Sequence, residues 1–324
     1  MTHGYIHSFL RLIARQMVLG GLISFPSLVS AQPQFDGPLP EPLSDAEYAI
    51  LAESFEYDRE PISIHPVPVC ARGGCFAVDD RGDHRREKLL FVPPYGAAIP
   101  ALLGVPAKGS APHPLIILQY GTNGTKELFW EEGHPYDALR NALNAAGFAV
   151  LAPEMTGHGE RAHEIGYADG PSLILGGKNR RLRDMSIQSV VELRQILDAL
   201  EARAELDLTR VGSLGVSHGS LHSFYLAAVD DRIDAAVTWV TPMRKVYPLL
   251  YPGHFARRID TAAVLMLAGS RDRFYKIDEA ETVLGLIPAS NKRLVVFKGG
   301  HQVRPEDIPI AVQWLIDHLG QRPR

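Results

Sequence analysis

Cysteine is nearly absent from this chain: two residues among 324, at positions 70 and 75. So few exclude a disulfide scaffold, and no second Cys or His pair stands beside them at the spacing a zinc module needs. An excess of positive charge is also lacking. The 33 Lys and Arg against 37 Asp and Glu leave a net charge of −4, which gives no bulk electrostatic drive toward nucleic acid. There is no Gly-X-Y period, no internal repeat, and no low-complexity tract after residue 43. What is present is an ordinary globular balance, 46% hydrophobic and 22% charged, too apolar for a disordered chain. The length allows one large α/β domain or two small ones.

Residues 1–31 contain no acid, two arginines (Arg11 and Arg15), an apolar run from Met17 to Val29, and the small residues Ser30 and Ala31 at its end. That order reads as a cleavable signal peptide, so the protein is expected to be exported, periplasmic or secreted. The run carries Gly20, Gly21 and Pro26 and is shorter than the ~20 residues of a membrane span. No membrane attachment is therefore expected after cleavage. Residues 32–43 hold four prolines and read as an extended tether. A single domain is expected over residues 44–324. Export permits oxidation, and Gly73 and Gly74 suit a tight turn between Cys70 and Cys75. A local disulfide across a hairpin tip is therefore expected.

Apolar, β-rich runs recur at Lys88–Val92, Ile99–Pro106, Leu115–Tyr120, Phe148–Pro153, Val211–Val216, Ala235–Val240, Ala263–Ala268 and Arg293–Phe297. Several are continuous, as in strands buried on both faces. Helical periodicity separates them at Tyr136–Ala146, Asp184–Ala204, Ile277–Leu286 and Ile308–Leu319. Such alternation specifies a mostly parallel sheet with helices on both faces. The earlier strands, with a hairpin-like Asp79–Arg86, suggest an antiparallel start.

The chemistry centres on Gly215-Val216-Ser217-His218-Gly219. An apolar strand precedes it and a helical pattern follows. G-x-S-x-G at such a corner marks a turn so sharp that its serine is strained and its neighbours must be small. Ser217 is then raised above the sheet at the strand ends where open α/β sheets bind ligands. A serine hydroxyl needs a base, and the base needs an acid to orient it. His301 follows the last strand and two glycines, which brings it to the same sheet edge. His254 and His318 fall in a connection and a closing helix and read as structural or solvated. Asp272 leaves the strand Ala263–Ala268 and is the best-placed acid, with Asp278 and Asp260 as alternatives. Backbone N–H groups of His218 and of Thr122, in the glycine loop after Leu115–Tyr120, are the expected oxyanion donors.

These residues, in the chain order Ser217, Asp272, His301, resemble the α/β-hydrolase superfamily over roughly residues 88–320. Gly121-Thr-Asn-Gly-Thr-Lys126-Glu127 is similar to a loop of dienelactone-hydrolase-related and acetyl-xylan-esterase-like members. Pro153-Glu154-Met-Thr-Gly157-His158-Gly159 is similar to the family's loop after the fourth strand, with Glu154 where Asp is usual. Tyr120 stands where many members have His. The resemblance implies an α/β-hydrolase fold and a serine carboxylic-ester hydrolase working through an acyl-enzyme on small-molecule esters. No metal or organic cofactor is implied. A prolyl-oligopeptidase-like serine peptidase and a non-enzymatic, ligand-binding relative are the alternatives. Haloalkane dehalogenases and epoxide hydrolases are disfavoured because they use Asp where Ser217 stands. The oligomeric state is not legible.

Overall fold

A computed structural model describes residues 38–71, 74–76, 78–168, 173, 177–243 and 248–320. The expected leader, residues 1–31, lies outside these residues. Pro38–Arg324 forms one compact unit. Leu39 and Leu43, in the Pro-rich segment, pack against its core, and the Leu43 N–H donates to His254 Nδ1 at 3.2 Å.

The unit is built on a ten-stranded sheet. In chain order the strands are β1 (Ser63–Val67), β2 (Val69–Ala71), β3 (Gly74–Phe76), β4 (Val78–Asp80), β5 (His84–Val92) and β6 (Ile99–Pro106). Then follow β7 (His113–Gln119), β8 (Ala149–Pro153), β9 (Leu206–Val216), β10 (Ile233–Trp239), β11 (Ala263–Gly269) and β12 (Lys292–Phe297). Their order across the sheet is β1-β5-β6-β8-β7-β9-β10-β11-β12, with β4 also on β5. Pairing is antiparallel from β1 through β8 and parallel from β8 to β12. The expected antiparallel start and parallel body are both present. β6, β8 and β11 are buried along their whole length, as continuous apolar strands under two helical layers must be. Helices Pro135–Ala145 and Ile308–Leu319 cover one face, and Asn179–Leu200 and His218–Val229 the other.

β7 lies between β8 and β9, so the chain leaves β7 toward one side and returns on the other. Their C-terminal ends therefore diverge into a crevice. The loop after β7 and the turn after β9, which carry Thr122 and Ser217, both open there.

β2 and β3 form a separate two-stranded sheet in which Cys70 stands opposite Cys75. The disulfide expected between them rests on side chains outside those described. Among the described residues, no helix is long and apolar enough to cross a membrane.

Candidate active site

β9 runs straight into the helix His218–Val229, and Ser217 makes the corner with φ 53° and ψ −115°. A non-glycine residue there costs of order 1–3 kcal/mol and persists only where its surroundings impose it. The surroundings here are backbone. A methyl added at Gly215 would collide with the Gly219 carbonyl, and one at Gly219 with the carbonyls of Gln119 and Tyr120. The Ser217 N–H donates to Trp239 O at 2.8 Å, and the Gly219 N–H to Tyr120 O at 3.0 Å. The corner is thereby tied to both neighbouring strands.

Ser217 Oγ lies 2.7 Å from His301 Nε2. The opposite ring nitrogen, Nδ1, lies 2.7 Å from Asp272 Oδ2. Facing a carboxylate, Nδ1 carries the proton, which leaves Nε2 to accept from the serine hydroxyl. The Asp272 carboxylate is wholly buried, while the His301 ring is 19% exposed. Asp272 Oδ1 accepts the Phe274 N–H at 2.9 Å, and the Phe274 ring leans on the imidazole at 4.5 Å. One oxygen of Asp272 thus holds its own loop and the other holds His301. The three expected residues form one hydrogen-bonded line. The alternatives are elsewhere: Asp278 is in the helix Ile277–Leu286, and Asp260 precedes β11. His318 Nδ1 bonds its own helix at Trp314 O, and His254 is buried against Leu43.

A cavity of about 420 Å³, which reaches His218 but not Ser217 itself, is lined on one side by Thr122, Asn123, His158 and His218. Ile165, Leu182 and Met185 form the apolar side, and the exposed Tyr167 stands at its rim. Thr122 and His218, the expected oxyanion donors, therefore border the same space. Burial, with His158 nearby, pushes the His218 imidazole down to about 3, and burial also lowers His158. The cavity wall is neutral at both rings above mildly acidic pH. Of the aromatics near these loops, Trp239 is core and Tyr275 is buried, its hydroxyl accepting the Gly269 N–H at 2.9 Å.

A second polar centre lies beneath the loop after β7. Lys126 is fully buried and its Nζ lies 2.8 Å from Glu154 Oε2, 2.5 Å from Glu160 and 2.7 Å from Glu127. Three carboxylates that could otherwise hold a cation are gathered on this ammonium. Burial opposes the charge, but the carboxylates, Glu154 foremost, lift the Lys126 pKa above its ordinary value. Tyr120 OH donates to Glu154 Oε1 at 2.5 Å. The sequence places Lys126, Glu154 and Tyr120 in recognisable loops without giving them work. The available signal is a lysine in one sheet-edge loop and a glutamate in the next.

Comparison with known proteins agrees with this architecture. Residues 114–250 match the family model of the alpha/beta hydrolase fold. YtaP of Bacillus subtilis (strain 168), provisionally named a hydrolase, is 27% identical over 188 residues, 56% of this chain and 58% of that protein. The chain thus spans little more than half of that relative. Among solved structures, an acetyl xylan esterase from Paenibacillus sp. R4 superposes with a TM-score of 0.67 at 17% identity, covering 87% of this chain and 97% of that one. Acetyl xylan esterase 1 from Thermoanaerobacterium sp. JW/SL YS485 gives 0.65 at 21% identity, covering 87% and 95%.

Proposed function

From an α/β-hydrolase fold, we propose that this chain is a serine carboxylic-ester hydrolase. The observation that carries the reading is the line Asp272–His301–Ser217, two contacts of 2.7 Å ending on a strained serine. The acetyl xylan esterases that share the fold support short-acyl esters as the substrates to try first.

His301 Nε2 takes the Ser217 proton as Oγ attacks the ester carbonyl, and Asp272 stabilises the imidazolium that forms. The N–H groups of His218 and Thr122 receive the oxyanion of the tetrahedral intermediate. The alcohol departs with the proton from His301 and leaves an acyl group on Ser217. Water then attacks the acyl-enzyme with His301 again as base, and the acid is released.

The test is hydrolysis of p-nitrophenyl acetate by the purified enzyme. Ser217→Ala should lower kcat by about 10⁴-fold or more while leaving the melting temperature near the wild-type value. Retained turnover in folded Ser217→Ala would sink the assignment. We further propose that the chain is exported with residues 1–31 removed and Cys70 bonded to Cys75. The leader pattern and the cross-strand register support this.

A further inference from the structure

We propose that Glu154 is the positioning residue of the oxyanion loop. In this view one buried carboxylate stakes residues 121–125 at both ends and so fixes the Thr122 amide opposite Ser217. The inference rests on the esterase reading above.

Glu154 follows β8 and is 1% exposed. Each oxygen has two partners. Oε1 accepts from Tyr120 OH at 2.5 Å and from the Lys126 N–H at 3.3 Å. Oε2 accepts from Lys126 Nζ at 2.8 Å and from the Glu160 N–H at 3.3 Å. Tyr120 and Lys126 immediately flank the Gly121–Thr125 loop, so the loop enters and leaves on the same carboxylate. Its middle is held as well. The Gly124 N–H closes a turn onto Gly121 O at 3.0 Å. A methyl on Gly124 would press the Tyr120 ring at 2.8 Å. The loop lies directly on the ring whose hydroxyl Glu154 holds.

The opposite side of the carboxylate is equally committed. A methyl on Gly159, whose φ is +47°, would collide with Glu154, so the chain comes closer there than any side chain permits. The Met155 N–H donates to Tyr120 OH at 2.8 Å, and Arg161 donates to Glu154 O at 3.2 Å. Tyr120 also ties the loop to the nucleophile, because its carbonyl accepts the Gly219 N–H. A donor amide works only when fixed where the oxyanion forms, and a misplacement near 1 Å is enough to be costly.

Full-chain Glu154→Gln and Tyr120→Phe test this with four readings: thermal melt, steady-state hydrolysis of p-nitrophenyl acetate, inhibition, and amide hydrogen exchange. Inhibition by a trifluoromethyl ketone, which forms a tetrahedral oxyanion on Ser217, is compared with inhibition by acetate, which does not. In Glu154→Gln, kcat should fall about 10- to 100-fold with KM held within about twofold, and the ketone Ki should rise by a similar factor. The acetate Ki should not move. Tyr120→Phe should lose about 10-fold in the same pattern. Exchange should quicken at the amides of residues 121–126. A folded Glu154→Gln enzyme with unchanged kcat and ketone Ki overturns the proposal, as does one in which only KM rises. If Glu154→Gln does not fold, Tyr120→Phe decides, because it keeps the carboxylate and removes only the phenol's bonds to Glu154 and from the Met155 N–H. Should the wild type cleave no ester, the esterase reading fails, and exchange at residues 121–126 still decides whether Glu154 holds the loop.

Discussion

Ser217 depends on residues that have no side chain. Gly215 and Gly219 each sit against backbone carbonyls, and backbone cannot move aside as a flexible side chain can. Gly215→Ala and Gly219→Ala should each cost at least about 3 kcal/mol and abolish ester hydrolysis. Gly285 is the control. It lies in the helix Ile277–Leu286 with open space where a methyl would go, so Gly285→Ala should stabilise by about 0.5 kcal/mol through lost unfolded-chain entropy. Thermal melts read all three, and a Gly219→Ala protein that melts like the wild type would remove the steric account of the corner. These two glycines were legible because the G-x-S-x-G spacing encodes a packing requirement. Glu154 was not legible as a hub. Its partners, Tyr120, Lys126 and Glu160, come from two different loops, and only the parallel pairing of β7 with β8 brings those loops together.

At the scale of elements, sequence and structure agree best where one apolar run or one apolar helical stripe spans the whole element. β6 and the helices Ile277–Leu286 and Ile308–Leu319 match their expected bounds. β5 and β9 begin four and five residues earlier than the apolar runs do, at His84 and Leu206. Ladder hydrogen bonds are made by backbone, so polar residues extend a strand without any apolar signal. β1 has no apolar signal in the sequence because it is an edge strand with exposed residues and Pro66 inside it. The helix Asp45–Ala52, just after the expected tether of residues 32–43, carries its own sequence signal in the capping box of Ser44 and Glu47. The helix His218–Val229 carries a hidden cost of its own. His218 and His222 stand one turn apart with ring centroids at 4.5 Å, and His158 stacks on His218 at 6.0 Å. Burial, then His218 and His158, hold the His222 pKa well below its ordinary value, and neither His222 nitrogen has a partner among the described residues. An unfolded histidine titrates near 6.5. Below that pH the unfolded chain binds protons that the folded chain refuses until near pH 3 for His218. Stability therefore falls as pH falls through this window, by about 1.4 kcal/mol per pH unit for each such ring. His222→Leu removes one of these titrations and no hydrogen bond. It should be neutral or stabilising at pH 7 and lose less than the wild type between pH 7 and pH 5. Urea midpoints at the two pH values measure this, and equal losses in both proteins would contradict it.

At the scale of the whole molecule, the three residues of the hydrogen-bonded line follow the ends of the parallel strands β9, β11 and β12, with β10 between the first two. The line is therefore anchored on the central sheet. The two cysteines lie in β2 and β3, a two-stranded sheet separate from the central one. Closing so short a loop constrains the unfolded chain by only about 2 kcal/mol, and that constraint does not bear on Ser217. Export and oxidation can thus be tested together without disturbing catalysis. The intact mass of protein recovered from an exporting host should correspond to a chain beginning at Gln32 and lighter by two hydrogens. Thiol alkylation should add nothing before reduction and two labels after it. Reduced, alkylated enzyme should keep its ester hydrolysis within about twofold, because the staple and the site belong to different sheets. A mature mass that retains residues 1–31, or labelling without reduction, would refute the exported, bonded form. Loss of activity on reduction would instead show that the hairpin bears on the crevice after all.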